Sequence, residues 1–305
     1  MKPTILITGG LGFIFSHVTE HFVKKGWRVI VLDNLGPGSH QELIDNSFLF
    51  YPHDVSKDNA VQMIVDLAPD YVIHAAAYSD VDGSISEPTY IFENNAHSTL
   101  RVFEACRRLP NLKRLLYVST DEVYGECTHR KNETEIIFPR NPYSLSKAVG
   151  SLMRLAYDNT YESLKDKTVE TRFCNIFGPR QDPRKIIPAI KRALNGGEPL
   201  PLHNGGAGYR EWLYVKEIPP LIELLLEKGH RTYNVTANVG MTMLDLVVLA
   251  EKLTGKKVPV VPGNRSGMDL YYQMDGSRLR EEFGWKPAYA FEKQLMAYLN
   301  EKETN

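Results

Sequence analysis

The 305-residue chain contains only three cysteines, and Cys106, Cys127 and Cys174 form neither a Cys-X-X-Cys pair nor a Cys/His ligand pattern. A disulfide framework and a metal site are therefore not expected, and a reducing cytoplasm fits best. The chain also lacks long apolar runs, so neither a signal-peptide core nor a membrane span is expected. Neither sign of charge dominates, because the formal net charge is -1. Without a basic stripe, nucleic-acid binding is not expected.

Short β-branched segments alternate with longer amphipathic segments along the first half of the chain. The segments predicted as buried strands are residues 4–8, 29–33, 48–51, 71–74, 114–119 and 169–173. This alternation predicts an α/β fold with a doubly wound parallel sheet that is covered by helices on both faces. After about residue 174, frequent proline and glycine predict a smaller, loop-rich lobe. We expect one domain over residues 1–173 and a C-terminal lobe over residues 174–305, with the chain crossing back to the sheet once or twice.

A glycine-rich turn, Thr8-Gly9-Gly10-Leu11-Gly12, follows the first predicted strand and opens a helix that ends near Gly26. Glycines let the backbone approach a pyrophosphate, and the N–H groups at a helix N-terminus favour that anion. Asp33 ends the second strand 21 residues after Gly12, where a carboxylate accepts bonds from ribose hydroxyls and repels a 2′-phosphate. The turn therefore predicts NAD binding in preference to NADP, and a plain strand-to-helix turn is the alternative.

The segment Asn141-Pro142-Tyr143-Ser144-Leu145-Ser146-Lys147 begins with a good N-cap and a proline at the first helical position. Tyr143 and Lys147 stand at i and i+4, so they lie on one helix face. We expect the ammonium and the positive helix end to favour the phenolate of Tyr143. Such a phenolate takes a proton from a hydroxyl group while hydride leaves for a nicotinamide. The Tyr/Lys pair alone is weak evidence for catalysis. The hypothesis depends on the position of the pair after five predicted strand–helix units.

The fifth predicted strand ends in Ser119-Thr120-Asp121-Glu122-Val123-Tyr124-Gly125. A hydroxyl and two carboxylates therefore emerge at the carboxyl edge of the sheet, where open α/β sheets bind ligands. The structural alternative is a solvated turn with a helix-capping aspartate. In the functional interpretation, Thr120 forms a hydrogen bond to the substrate. One acid donates a proton to a leaving hydroxyl, and the other removes a carbon-bound proton.

Together with residues 172–181 and 210–215, these motifs resemble the extended short-chain dehydrogenases/reductases over nearly the whole chain. The Thr-Asp-Glu triplet followed by Val-Tyr-Gly is similar to the nucleoside-diphosphate-glucose 4,6-dehydratases rather than the 4-epimerases. The resemblance implies a Rossmann fold, NAD, a dTDP- or UDP-linked hexose, and a homodimer formed by helices over residues 88–108 and 142–164. It assigns Tyr143 as base at the 4-hydroxyl, Asp121 as acid at the 6-hydroxyl and Glu122 as base at C5.

The resemblance also implies two sets of binding residues. The cofactor set is Gly9, Gly12, Phe13, Ile14, Asp33, Asn34, Asp54, Val55, Ala75, Ala76, Ala77, Tyr143 and Lys147. The substrate set is Asn175, Lys185 and Arg210, of which Asn175 and Arg210 are expected to hold the diphosphate.

Several positions depart from the family pattern. Phe15 replaces the last glycine of the phosphate-binding turn, so we expect the helix to move outward or the ring to point elsewhere. The run Met268-Asp269-Leu270 stands where the dTDP-glucose dehydratases commonly carry His-Asp-Arg, so a cation expected at the diphosphate is lost. Met243 stands where an asparagine is usual, and Lys216 where an acid is usual. These departures do not change the predicted reaction type, but they leave the identity of the nucleotide and the hexose undecided. Glucose-linked substrates are ranked before N-acetylglucosamine-linked ones.

Three alternatives remain open. A nucleotide-sugar 4-epimerase uses the same Tyr/Lys pair and needs neither acid. A dehydratase acting across C5 and C6 of UDP-N-acetylglucosamine omits the final reduction at C6. A degenerate cofactor-binding regulator is motivated by Phe15 and the missing diphosphate cation, although the intact Thr-Asp-Glu triplet and Tyr/Lys pair argue against it.

Other polar residues receive structural interpretations. His17 and His21 have i, i+4 spacing but no third ligand, so they are interpreted as helix surface. His74, at the end of a strand, is expected to be hydrogen-bonded structure beside the cofactor rather than a catalyst. Cys127 and Cys174 lack a paired histidine and are expected to pack.

Overall fold

The computed structural model describes residues 2–264 and 269–301; Met268 lies outside the described residues. Its strands are β1 (Thr4–Thr8), β2 (Arg28–Asp33), β3 (Leu49–Pro52), β4 (Tyr71–His74), β5 (Arg114–Thr120), β6 (Thr168–Phe173), β7 (Asn175–Phe177), β8 (Leu200–His203), β9 (Tyr209–Tyr214), β10 (Thr232–Val235), β11 (Gly240–Thr242) and β12 (Val260–Gly263). Its α-helices are α1 (Phe13–Lys24), α2 (Ala60–Leu67), α3 (Val81–Ser86), α4 (Pro88–Arg108), α5 (Pro142–Thr160), α6 (Ile186–Leu194), α7 (Ile218–Lys228), α8 (Met243–Thr254), α9 (Ser277–Phe283) and α10 (Phe291–Asn300).

The central sheet has seven strands in the order β10-β6-β5-β4-β1-β2-β3. The neighbouring pairs from β3 through to β6 are parallel, so the carboxyl ends of these strands lie along one edge. Each strand expected from the sequence is present to within one residue at either end, and the doubly wound parallel sheet is confirmed. The strand order reverses between β1 and β4, which is where such sheets bind ligands.

The chain divides into two compact units. The first comprises residues up to Gly125 together with Glu135–Phe173 and Ile218–Tyr233. The second comprises Glu126–Thr134, Cys174–Glu217 and the residues from Asn234 onward. The expected division into residues 1–173 and 174–305, with the chain crossing back to the sheet once or twice, remains a prediction. Relative to that division, α7 and the start of β10 lie with the first unit, while a short loop after β5 lies with the second.

The core of the first unit packs helices onto one face of the sheet. Fully buried apolar side chains of β1, β2, β4 and β5 meet those of α2 and α4: Leu6, Ile30, Leu32, Val72, Leu115, Ile64, Val102 and Phe103. Each such side chain contributes about 1.5–3 kcal/mol through removal from water. In the described part of the chain, no helix combines the length and apolar character needed to cross a membrane.

The second unit contains two small sheets and its own core. Strand β9 pairs with β7 in parallel and with β11 in antiparallel fashion, and β8 pairs with β12 in parallel. Its core combines large side chains of these strands and of α6, α8 and α10: Phe177, Trp212, Ile187, Ile190, Leu246 and Leu295.

Helix α5 is fixed at its start and along its length. Asn141 accepts a hydrogen bond from the Ser144 N–H (2.8 Å), and the Ser144 hydroxyl accepts one from the Asn141 N–H (3.2 Å), which forms a capping box. Gly150 allows α5 to approach β5, because a Cβ there would overlap the Tyr117 hydroxyl. That hydroxyl donates to the Lys147 carbonyl oxygen (2.9 Å), so the glycine fixes how close Lys147 lies to the sheet.

Candidate active site

The glycine turn after β1 has the shape that an approaching pyrophosphate requires. Gly9 has a φ of +68°, and a Cβ there would lie 2.8 Å from backbone atoms of Ala76. Gly12 is the N-cap of α1 and offers no side chain to the first-turn N–H groups of Phe13 and Ile14. Among the described residues, a Cβ on Gly12 would meet only the Gly9 carbonyl oxygen, at 3.3 Å. The turn therefore leaves open space at a helix N-terminus, which suits an anion.

Asp33 ends β2 with its carboxylate buried and partly satisfied. One oxygen accepts from the Leu35 N–H (2.9 Å) and the Ser39 hydroxyl (2.7 Å), and the other accepts from the Leu11 N–H (3.1 Å). A carboxylate has about four acceptor positions, so one remains for a ribose hydroxyl. The neighbouring Asn34 accepts from the Gly36 N–H through its side chain (3.0 Å). The residues at this edge therefore fit a dinucleotide.

The other expected cofactor residues follow β3 and β4. Asp54 accepts from the N–H and hydroxyl of Ser56, and Val55 is buried. After β4, the N–H groups of Ala75 and Ala76 both approach the Thr8 hydroxyl (3.2 Å), which ties this loop to β1; Ala77 follows them and is half-buried.

Asn95 on α4 was missed by the sequence reasoning. Its side-chain oxygen accepts from the Tyr78 N–H (2.8 Å), and its amide donates to the Ser146 hydroxyl (2.9 Å). It thereby braces the loop that follows Ala77 against α5. The available signal was a polar residue one turn after Ile91, on the buried face of α4.

His74 is hydrogen-bonded structure, as the sequence indicated. Its Nδ1 lies 2.9 Å from the Thr8 hydroxyl and its Nε2 lies 3.1 Å from the Thr99 hydroxyl. Burial lowers the pKa of His74 from 6.5 to about 3, and the charge of Lys147 contributes in the same direction. The imidazole is therefore neutral at physiological pH.

His74 should make stability depend on pH. Its pKa is depressed in the folded state, so the unfolded chain takes up the proton first as the pH falls below 6.5. Lowering the pH from 7 to 5 should therefore reduce the free energy of unfolding by about 2 kcal/mol through this group. Urea titrations of wild type and His74→Gln at both pH values measure it. Equal pH dependence in the two proteins would contradict the assignment.

The residues after β5 gather around Tyr143. The Thr120 hydroxyl donates to the Asp121 carboxylate (3.1 Å) and accepts weakly from the Glu122 N–H (3.4 Å). The Asn141 amide donates to the Glu122 carboxylate (3.2 Å), which joins the acid pair to the start of α5. The electrostatic influence of both acids reaches Tyr143, whose side chain also shares a hydrogen bond with Thr120. All of these residues belong to the first unit.

The pKa values of Tyr143 and Lys147 differ from the sequence-based expectation. Burial raises the pKa of Tyr143, Glu122 and Asp121 raise it further, and the hydrogen bond with Thr120 lowers it by less. Burial also lowers the pKa of Lys147 to about 7, against a raising effect of Glu170. The expected stabilisation of the phenolate is therefore outweighed, because desolvation disfavours both charged forms.

The remaining first-unit expectations concern α1. The Phe15 side chain is buried, with 5% exposed, so its ring lies inside the protein. His21 contacts the Glu223 carboxylate (2.7 Å), which also pairs with Lys25 (3.0 Å). Within residues 2–264 and 269–301, no group of three or more His, Cys, Asp and Glu side chains is arranged to hold a metal ion.

The expected substrate residues lie in the second unit. Asn175 begins β7 opposite Trp212, and Lys185 is the N-cap of α6. The Arg210 guanidinium donates to the Tyr209, Leu270 and Asp269 carbonyl oxygens and stacks 4.3 Å above the Tyr272 ring. Lys216 lies in a short 3-10 turn after β9, and Met243 begins α8.

Comparison with known proteins gives the family and several relatives. Residues 5–240 match the NAD dependent epimerase/dehydratase family. A dTDP-glucose 4,6-dehydratase of Xanthomonas campestris is 33% identical, over 96% of this chain and 91% of the relative. A trifunctional UDP-glucose 4,6-dehydratase/UDP-4-keto-6-deoxy-D-glucose 3,5-epimerase/UDP-4-keto-L-rhamnose-reductase of Arabidopsis thaliana is 32% identical, over 96% of this chain. The chain spans only 46% of that plant protein.

Two solved structures are similar over 97% of this chain, each at 30% identity. A UDP-glucose 4-epimerase of Thermotoga maritima, with UDP-glucose, has a TM-score of 0.90 and is 97% covered. The dTDP-glucose 4,6-dehydratase DesIV of Streptomyces venezuelae, crystallised with NAD, has a TM-score of 0.88 and is 95% covered. From the match over most of its length, the chain belongs to the NAD dependent epimerase/dehydratase family.

Proposed function

We propose that this protein is an NAD-dependent nucleotide-sugar 4,6-dehydratase, a lyase that converts a nucleoside-diphosphate hexose into its 4-keto-6-deoxy derivative. The relatives support a dTDP- or UDP-linked glucose as substrate. The cofactor is NAD, which when bound would supply reversible hydride transfer between C4 and C6 of the sugar. Gly9, Gly12, Asp33 and the loop after β4 would hold it, since their geometry fits a dinucleotide.

The observation that carries the proposal is the acid pair beside Tyr143. Asp121 and Glu122 follow the central strand β5, share contacts with Thr120 and Asn141, and act electrostatically on Tyr143. An epimerase needs a base at the 4-hydroxyl but neither an acid at O6 nor a base at C5. Two carboxylates held at that point therefore favour elimination of water.

Different side chains of the protein carry out the separate proton transfers. Tyr143, with Lys147 one turn further along α5, removes the proton of the 4-hydroxyl. Asp121 donates a proton to the departing 6-hydroxyl. Glu122 takes the proton from C5, which oxidation at C4 has made more acidic. Asn175 and Arg210 are proposed to bind the diphosphate, because positive charge and amide donors complement phosphate oxygens. Lys185 is proposed to contact the substrate as well.

The epimerase remains the second candidate, supported by the equally close fold of the Thermotoga enzyme. Incubation with UDP- and dTDP-linked glucose, galactose and N-acetylglucosamine, followed by mass spectrometry, distinguishes the two. Loss of water with one nucleotide-linked glucose supports the proposal. Unchanged mass with inversion at C4, seen by NMR, would establish the epimerase. Loss of water without reduction at C6 would identify a 5,6-dehydratase.

Asp33 should select NAD over NADP. Its buried carboxylate lies at the end of β2, where a 2′-phosphate would meet an uncompensated negative charge. We expect NAD to bind at least about tenfold more tightly, which corresponds to 1.4 kcal/mol. Titration calorimetry with both cofactors measures this ratio, and Asp33→Asn should reduce it. Equal affinities in the wild-type protein would contradict the role of Asp33.

We further propose a homodimer formed by α4 and α5. Leu145, Leu152 and Leu155 on α5 are exposed by 47%, 56% and 45%, and their spacing places them on one face of the helix. Covering that face with the same helices of a second chain would form a four-helix seam. Sedimentation velocity tests the oligomeric state.

Three free cysteines support a reducing, cytoplasmic location.

A further inference from the structure

A buried charged cluster lies behind the Tyr/Lys pair and has no part in the reaction described above. Its centre is Glu170 on β6, with 0% of its surface exposed. One carboxylate oxygen accepts from the Arg172 guanidinium (2.9 Å) and the Ser151 hydroxyl (2.5 Å). The other accepts from the Thr232 hydroxyl (3.0 Å) and lies 3.6 Å from Arg154.

The cluster is connected to Lys147 through two elements. Tyr117 and Glu170 are register partners on β5 and β6, so their side chains stand next to each other on one face of the sheet. The Lys147 ammonium lies 4.6 Å above the Tyr117 ring, and the Tyr117 hydroxyl donates to the Lys147 carbonyl oxygen. Ser151, one turn after Lys147, reaches Glu170 directly. Glu170 therefore lies beneath the turn of α5 that carries Lys147.

The charges around these groups favour an ionised carboxylate. Burial alone would raise the pKa of Glu170, but Arg172, Arg154 and the Ser151 hydrogen bond together lower it. The titratable and charged groups that interact with Glu170 or Lys147 from the surrounding elements are Arg172, Arg154, Tyr117 and His74. His74 is neutral at physiological pH, so Glu170 supplies the negative charge that opposes the desolvation of Lys147.

We propose that Glu170 is a positioning residue of this site: its buried carboxylate, fixed by Ser151 and two arginines beside Tyr117, maintains Lys147 as an ammonium ion next to Tyr143. This proposal rests on the proposed function of the Tyr/Lys pair. It extends that function by naming the counter-charge behind the lysine. The pair shares one proton in its working state, either as phenolate and ammonium or as phenol and amine. Glu170 favours the first arrangement, because only there does Lys147 carry a charge.

The arrangement predicts a specific pH profile for Glu170→Gln. Loss of the carboxylate lowers the pKa of Lys147, so the phenol–amine form grows at the expense of the reactive phenolate. Near pH 8 the rate of NADH formation should fall about tenfold for each unit by which the lysine pKa drops. Near pH 5.5, where both groups carry their protons in either protein, the two rates should agree within about twofold. The midpoint of the acid limb should move to lower pH.

The experiment has two readouts on the full-length protein with NAD. One is NADH formation after rapid mixing with the active nucleotide sugar, from pH 5.5 to 9. The other needs no substrate: NMR titration of the Lys147 ε-carbon in ¹³C-lysine-labelled protein, assigned by the absence of that signal from Lys147→Met. In Glu170→Gln the Lys147 midpoint should lie about one pH unit lower, because the ammonium no longer has a facing carboxylate.

Ser151→Ala is the matched control, because it removes a hydrogen bond from the cluster but leaves the carboxylate charge. The midpoint of the acid limb of NADH formation and the midpoint of the substrate-free titration should both stay unchanged. Glu170→Gln leaves buried guanidiniums without their partner and can fail to fold. Glu170→Gln/Arg154→Met removes the carboxylate together with one facing cation, and it should show the same altered profile.

A rate lowered by the same factor at every pH, with an unmoved Lys147 midpoint, would overturn the proposal and leave Glu170 with a structural role only. Absence of NADH formation by the wild-type protein with every sugar would refute the proposed function instead. The Lys147 titration would then still decide the role of Glu170.

Discussion

Glu122→Gln is expected to preserve oxidation of the substrate while lowering formation of the dehydrated product by about 100-fold or more. Oxidation needs the base at the 4-hydroxyl, which is unchanged. Elimination needs a base at C5, and an amide cannot accept that proton. The Asn141 amide donates to Glu122 in the wild-type protein, and the glutamine side-chain oxygen can still accept that bond, so the local geometry should survive.

Rapid-mixing absorbance of bound NADH and mass spectrometry in D₂O separate the two steps. For Glu122→Gln, NADH should accumulate while product and C5 solvent-deuterium exchange both fall. Asp121→Asn should slow the loss of water by a similar order but permit some exchange at C5, because its role is to protonate the leaving hydroxyl. Glu198→Gln, an exposed acid before β8, is the matched control and should behave as wild type.

Full turnover and full exchange in Glu122→Gln would show that the assigned base is wrong. The epimerase would then become the better candidate, because it requires neither acid. Loss of NADH formation itself would place Glu122 in the oxidation step instead of the elimination.

The sequence predicted the parts of the fold that local pattern determines. The apolar runs of β1, β2, β4 and β5 are largely buried, and hydrophobic runs of that length are typical of strands in a parallel sheet. The edge strand β3 is only partly buried. The start of α5 was readable because Asn141 and Pro142 are preferred at an N-cap and at the first helical position. The return of the chain to the first unit through α7 and β10 depends on long-range contacts, which composition does not encode.

The site was predictable as a set of residues but not as an electrostatic environment. Residues 169–173 were predicted as a buried strand, and all six residues of Thr168–Phe173 are buried. The sequence did not show how the polar side chains of that strand are paired. Glu170 and Arg172 pair inside the protein, and the pKa of Lys147 follows from that burial. The effect of burial on the pKa of Tyr143 was missed for the same reason: the i, i+4 spacing places an ammonium on the same helix face, whereas depth of burial is a tertiary property.

Tyr143→Phe is expected to have the largest effect of all, a loss of NADH formation of about 1,000-fold or more. Only 8% of the Tyr143 side chain is exposed, and phenylalanine fills the same space, so the change removes the base and the contact with Thr120 without opening a cavity. Tyr157→Phe is the matched control on the same helix, because its hydroxyl donates to Glu104 (2.7 Å) at a partly buried site away from the acid pair. NADH absorbance after rapid mixing gives the rate, and NAD titration calorimetry shows that the variant still binds cofactor. Wild-type NADH formation by Tyr143→Phe would mean that another group removes the 4-hydroxyl proton, and Lys147, with its pKa near 7, would be the next base to test.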